Sequence, residues 1–179
     1  MARLQDFAPF SGDDLLPNAV MVYDQTRTMH ASRADLWPWI LQLGKGRGGW
    51  YCPASWEKWM PQSWRATRTI NPAWQKLKPG DRVDDYGISV EDYFDVVAVR
   101  PEEVLMYRSD RYGARFTWTL MLHELVTEAN VTPRTLVHLR FRGQIAATGI
   151  RKWVVVNGGG FLDWIFTYPM LLDIAYKTD

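Results

Sequence analysis

Cysteine is almost missing from this 179-residue chain: Cys52 stands alone. A single thiol excludes an intrachain disulfide framework and any multi-cysteine metal site. Histidine is scarce as well, and His30, His123 and His138 fit no metal-ligand spacing. Charge of one sign is lacking: 21 basic residues against 20 acidic leave a net charge of +1, which argues against a general polyanion binder. Long apolar runs are lacking too. The most apolar region, 153–176, is interrupted by Asn157-Gly158-Gly159-Gly160 and charged by Asp163 and Asp173. It falls short of the roughly 20 apolar residues a membrane span needs. The opening Met1-Ala2-Arg3-Leu4-Gln5-Asp6-Phe7 has no signal-peptide core. The expectation is a soluble, cytoplasmic protein. With no repeat or low-complexity tract, the length suits one domain over 1–179, with 1–18 as a lead-in.

What is abundant is aromatic: ten Trp, eight Tyr and seven Phe. Each buries about 150–250 Å², so a large core is available and disorder is excluded as the default. Five tryptophans (50, 56, 59, 64 and 74) fall within 44–80, among Lys45, Arg47, Lys58, Arg65, Arg68, Lys76 and Lys78, with Glu57 the lone acid. Residues 81–103 invert that charge, so the two stretches are expected to complement each other electrostatically.

The lead-in reads as loosely structured. Ala19–His30 reads as a strand. Ser32 and Asp35 form a capping-box pattern ahead of Leu36, Trp37, Trp39, Ile40 and Leu43 at helical spacing, with Pro38 shortening or kinking the helix. Short helices are predicted near 54–60 and 72–77. From Tyr93 the period becomes two: Tyr93–Val99 and Val104–Ser109 form a hairpin turned at 100–103, followed by strands Arg115–Leu125 and Thr135–Arg142 and a short strand at Lys152–Val156. On one face lie Phe116, Trp118, Leu120, Leu122, Val137, Leu139 and Phe141. On the other lie His123, His138, Arg140 and Arg142, which by pattern face solvent. A terminal helix over Phe161–Tyr176 is apolar all round, so something must surround it. The order is α+β: an antiparallel sheet curved around a terminal helix.

Leu36-Trp37-Pro38-Trp39-Ile40-Leu41-Gln42-Leu43-Gly44-Lys45-Gly46-Arg47-Gly48-Gly49-Trp50-Tyr51 resembles a segment of the START/Bet v1-like superfamily (SRPBCC), many members of which are polyketide cyclase/dehydrase-like. Gly12–Pro17, Ile70–Asp81 and Thr117-Trp118 resemble further pieces in the same order. The resemblance implies a helix-grip fold, a curved antiparallel sheet wrapped around a long C-terminal helix with an internal cavity for apolar molecules. It supplies no shared catalytic set, and fold alone does not fix function. Cys52-Pro53 stands where relatives often carry an acidic residue, and Pro169 interrupts the terminal helix.

The candidate catalytic residues are Arg47, Tyr51 and His123. Arg47, in its glycine-rich loop, either anchors a carboxylate, enolate or carbonyl, or sits in a structural turn paired to an acid of 81–103. The loop is neither a Walker loop nor a dinucleotide fingerprint, so no cofactor is expected. Tyr51, Tyr86, Tyr93, Tyr107, Tyr112 and Tyr168 could present hydroxyls to a mostly apolar pocket. The candidate ligand-binding residues are Trp50, Tyr93, Arg108, Trp118, Phe141, Trp164 and Tyr168. Cys52 reads as a half-buried thiol rather than a nucleophile. The tryptophan-rich basic stretch reads as cavity rim under cationic stems, not as a nucleic-acid platform.

The leading reading is a biosynthetic enzyme that folds a polyketide-like substrate and promotes its cyclisation or dehydration. The alternatives are a non-catalytic carrier or sensor of an apolar ligand, and a protein-interaction module. The expected state is monomer or homodimer.

Overall fold

A computed structural model describes residues 10–52, 54–86, 89, 92–111, 113–125, 132–145, 167–175 and 177. The predicted strand at 152–156, Trp153, Trp164, Tyr112 and, from the predicted terminal helix, residues 161–166 and Tyr176 lie outside the described residues.

Six strands form one antiparallel sheet: β1 (Met21–Met29), β2 (Arg82–Asp84), β3 (Tyr93–Arg100), β4 (Val104–Arg111), β5 (Ala114–Leu125) and β6 (Arg134–Ile145), in the order β1-β6-β5-β4-β3-β2. β1 joins the sheet at β6, pairing Tyr23 with Phe141 and Asp24 with Arg140. The β3–β4 register shifts between Val96 and Ala98, a bulge that re-aims the end of β3. The sequence reading missed β2: three residues are too few to display an alternating period.

Two helices pack on one face of the sheet. α1 (Arg33–Leu41) carries the capping box, with Ser32 accepting from the Asp35 backbone and Asp35 reaching back to the Ser32 N–H. Pro38 lies within α1, and its carbonyl accepts a bond from the Gln75 amide. After the one-turn α2 (Ala54–Glu57), α3 occupies 167–175. Leu36, Ile40, Met170, Leu171 and Ile174 join Leu105, Tyr107, Trp118, Leu120, Val137 and Leu139 in one buried core. No helix among the described residues is long and apolar enough to cross a membrane.

The opposite face of the sheet corrects the sequence reading. His138 and Arg140 are not solvent-facing: they are 0% and 9% exposed. Residues 10–16 lie over them. Phe10 meets the His138 ring edge-on at 4.8 Å and lies 4.7 Å from the Arg140 guanidinium. Asp13 accepts from Arg140 Nε at 2.8 Å and pairs with Arg142 at 3.3 Å. The lead-in from residue 10 onward is therefore a strap, not a loose tail. Beside it, Val104, Met106 and Met121 form a second apolar cluster against Phe10.

The basic and acidic stretches largely satisfy themselves elsewhere. Lys78 and Asp81 pair at 2.6 Å where the stretches meet. Asp85 and Asp92 are taken by Arg111, and Asp95 by Arg82 and Arg108. Arg68 turns instead to Glu57 and Asp173.

Candidate functional site

A pocket of about 320 Å³ opens on the helix side of the sheet. Its sheet wall is Phe94, Phe116, Trp118 and Phe141. These residues come from β3, β5 and β6, and each alternates along its strand with neighbours on the opposite face of the sheet. Trp50 completes the wall, meeting Trp118 at 5.1 Å and 72° and Phe94 at 5.6 Å and 67°. Cys52, Trp56 and Met60 enter from the α2 region, Asp85 and Tyr86 from the end of β2, and Thr167, Pro169 and Met170 from α3.

Tyr86, Asp85 and Thr167, polar side chains of this lining, are already engaged. Tyr86 donates to the Trp64 carbonyl, accepts from the Trp50 backbone N–H and stacks on the Trp64 ring at 4.8 Å. Asp85 holds Arg111 at 2.5 Å, and Thr167 accepts from the Gln25 amide. Burial pushes the Cys52 thiol up to about 11, with Glu57 and Asp173 adding to it, so the thiolate is scarce near neutral pH. The Trp50 indole Nε1–H is buried and has no acceptor among the described residues.

The candidate residues separate into three places. Trp50, Trp118 and Phe141 line the pocket together. Tyr93 and Arg108 do not: they lie across the sheet from Phe94 and Tyr107, where Arg82 covers the Tyr93 ring at 4.0 Å and Arg108 pairs loosely with Asp95. Tyr168 is 43% exposed and faces residues 24–27 of β1 at a separate shallow cleft. Trp164 lies outside the described residues.

Arg47 and Tyr51 are built into the scaffold. Arg47 Nη2 donates to the Leu41 and Trp74 carbonyls at 2.9 and 2.8 Å, so the expected pairing with an acid of 81–103 is replaced by two backbone contacts. Its loop is closed by a backbone bridge between Gly44 and Gly49, both at positive φ. A Cβ on Gly44 would come within 2.1 Å of Val83, and one on Gly49 within 2.7 Å of the Ala66 backbone. The glycines thus serve a tight turn and close approach within the fold. Tyr51 is fully buried. Its hydroxyl donates to the Trp39 carbonyl at 3.0 Å and accepts from Gln42 at 2.8 Å, and burial drives its acidity well below the ordinary phenol.

His123 projects from the strap side of β5, opposite the pocket, with its ring 5.8 Å from that of His138. Burial, then the neighbouring His138, lowers its pKa to about 4. Sequence reading did not select Phe94 or Phe116, whereas Tyr86, among the tyrosines expected at a pocket, and Trp56, in the stretch read as cavity rim, both line it. Phe116 was within reach, because it lies two residues from Trp118 on one strand face. Phe94 depended on the phase of β3, where Tyr93 competes for the same role.

No family model matches this chain. No curated protein matches it either. Among solved structures, it is similar to the protein MLL2253 from Mesorhizobium loti, at 18% identity and a TM-score of 0.46, over 88% of this chain and 98% of that one. It is also similar to the Aha1 dimer from Colwellia psychrerythraea, at 11% identity and a TM-score of 0.41 over 84% and 97%. A third is the protein Ms6760 from Mycobacterium smegmatis, at 18% and 0.42 over 85% and 90%.

Proposed function

We propose that this chain is a helix-grip protein of the START/Bet v1-like (SRPBCC) kind, whose sheet and terminal helix enclose a cavity that carries an apolar small molecule. The observation that carries this reading is the pocket wall of Trp50, Phe94, Phe116, Trp118 and Phe141, in which aromatic faces dominate and the polar neighbours are already bonded. Such a wall favours a flat or polyene-like hydrocarbon skeleton.

Carriage is preferred to catalysis here because none of Arg47, Tyr51 or His123 lines the pocket. Cys52, which does, keeps its proton near neutral pH. The cyclisation or dehydration of a polyketide-like substrate is the rival reading. Native mass spectrometry of the protein as purified tests the proposal: a retained apolar molecule, displaced by a competing hydrophobic dye, is expected. A protein that takes up neither would refute it. Turnover of a bound polyketide into a new product would favour the enzyme.

A further inference from the structure

The segment around α2 presents aromatic and basic groups that the pocket does not fully enclose. Trp56 is 52% exposed while still lining the pocket, so it stands at the mouth. Trp59, one turn further, is 83% exposed. The Lys58 ammonium lies 5.3 Å from its ring. Leaving an indole in water forfeits most of the stabilisation its burial would bring.

The charge around these rings is not balanced. Glu57 and Asp173 are buried and matched two-for-two by Arg68 and Lys177. That leaves Lys58 and Arg65 in excess. Both are exposed, and neither forms an ion pair among the described residues; Arg65 Nε donates only to the Met60 carbonyl. Exposed indoles flanked by unneutralised cations suit one environment above others: an anionic bilayer surface. There the indole sits at headgroup depth and the cations meet lipid phosphates and carboxylates.

We propose that Trp56, Lys58, Trp59 and Arg65 form a docking surface for anionic lipid membranes, which sets the pocket mouth against the bilayer. The docking stands whether or not the pocket takes an apolar ligand.

Co-sedimentation with vesicles tests this, comparing pure phosphatidylcholine with a phosphatidylserine/phosphatidylcholine mixture. The full chain should bind the anionic vesicles, lose them in high salt, and leave the neutral ones largely unbound. Lys58→Gln and Arg65→Gln should each weaken binding by about 5-fold, the value of one basic residue near an anionic surface. Trp59→Ser should weaken it by about tenfold or more and remove the blue shift of tryptophan emission on mixing. These side chains are exposed, so circular dichroism of each variant should match the parent. Three outcomes would overturn the proposal. One is the absence of binding to either vesicle. Another is parent-like binding by all three variants. The third is a dimer in light scattering that Trp59→Ser converts to monomer, which would assign the surface to a second copy of the chain.

Discussion

Asp24 and Arg140 face each other as register partners across β1 and β6, and the carboxylate accepts two bonds from one guanidinium nitrogen at 2.7 and 2.6 Å. The same carboxylate contacts His138 Nε2 at 2.6 Å, while Asp13 of the strap takes the rest of Arg140. Burial works against the Asp24 charge, but the bonds from His138 and Arg140 outweigh it and hold the carboxyl below its usual range. The strap and the sheet are thus joined through one nearly buried guanidinium.

Asp24→Asn should therefore destabilise the fold by about 2 kcal/mol. The full penalty for stranding a buried charge is larger, but Asp13 still pairs with Arg140 and the Asp24 side chain is 27% exposed. Urea unfolding followed by tryptophan fluorescence measures the loss. An unchanged midpoint would show that the pair contributes nothing.

His123 sets a pH window. Its folded pKa of about 4 lies below the usual 6.5, so the unfolded chain binds a proton that the folded chain refuses. Its contribution is complete above pH 6.5 and is lost as pH falls toward 4. The Asp24 contribution is present above the ordinary carboxylate value of 3.8 and is lost only at lower pH. Unfolding free energies across this range should fall in two stages, and His123→Gln should flatten the upper one alone.

Tyr51→Phe and Phe141→Ala separate scaffold from pocket. Removing the Tyr51 hydroxyl leaves the Trp39 carbonyl without that donor, at a cost of about 1–3 kcal/mol, with affinity for an apolar dye unchanged. Phe141→Ala should weaken the dye about tenfold by removing a wall of the pocket. Thermal melts and dye titrations read both. Loss of dye binding in Tyr51→Phe at full stability would return that tyrosine to the site.

Cys52 should be alkylated slowly by iodoacetamide near neutral pH, with the rate climbing as pH approaches the thiol's value of about 11. A bound apolar dye should slow it further, since Cys52 lines the pocket. Rapid labelling at neutral pH would contradict the buried, protonated thiol.

The strand alternation was readable because period two is written locally: Phe116, Trp118, Leu120 and Leu122 share a face in sequence and in the sheet. The capping box of α1 was readable for the same reason, since both partners lie within four residues. Arg47 was ambiguous because its acceptors, the Leu41 and Trp74 carbonyls, are backbone atoms that no residue type advertises. The bond from Arg68 to Asp173 spans 105 positions and had no sequence signal at all.

What the sequence determined by itself was the set of alternating strands, the one capped helix and the aromatic supply for a large core, each encoded by near neighbours along the chain. What only the tertiary structure decided was which face each layer covers. His138 and Arg140 sit at polar positions of an alternating strand, yet residues 10–16 cover them. Burial is set by whatever lies above a side chain, and here that segment comes from more than a hundred residues earlier. The same dependence on distant neighbours brought Trp50, Phe94, Phe116, Trp118 and Phe141 to one pocket and left Tyr93 and Arg108 on the other side of the sheet.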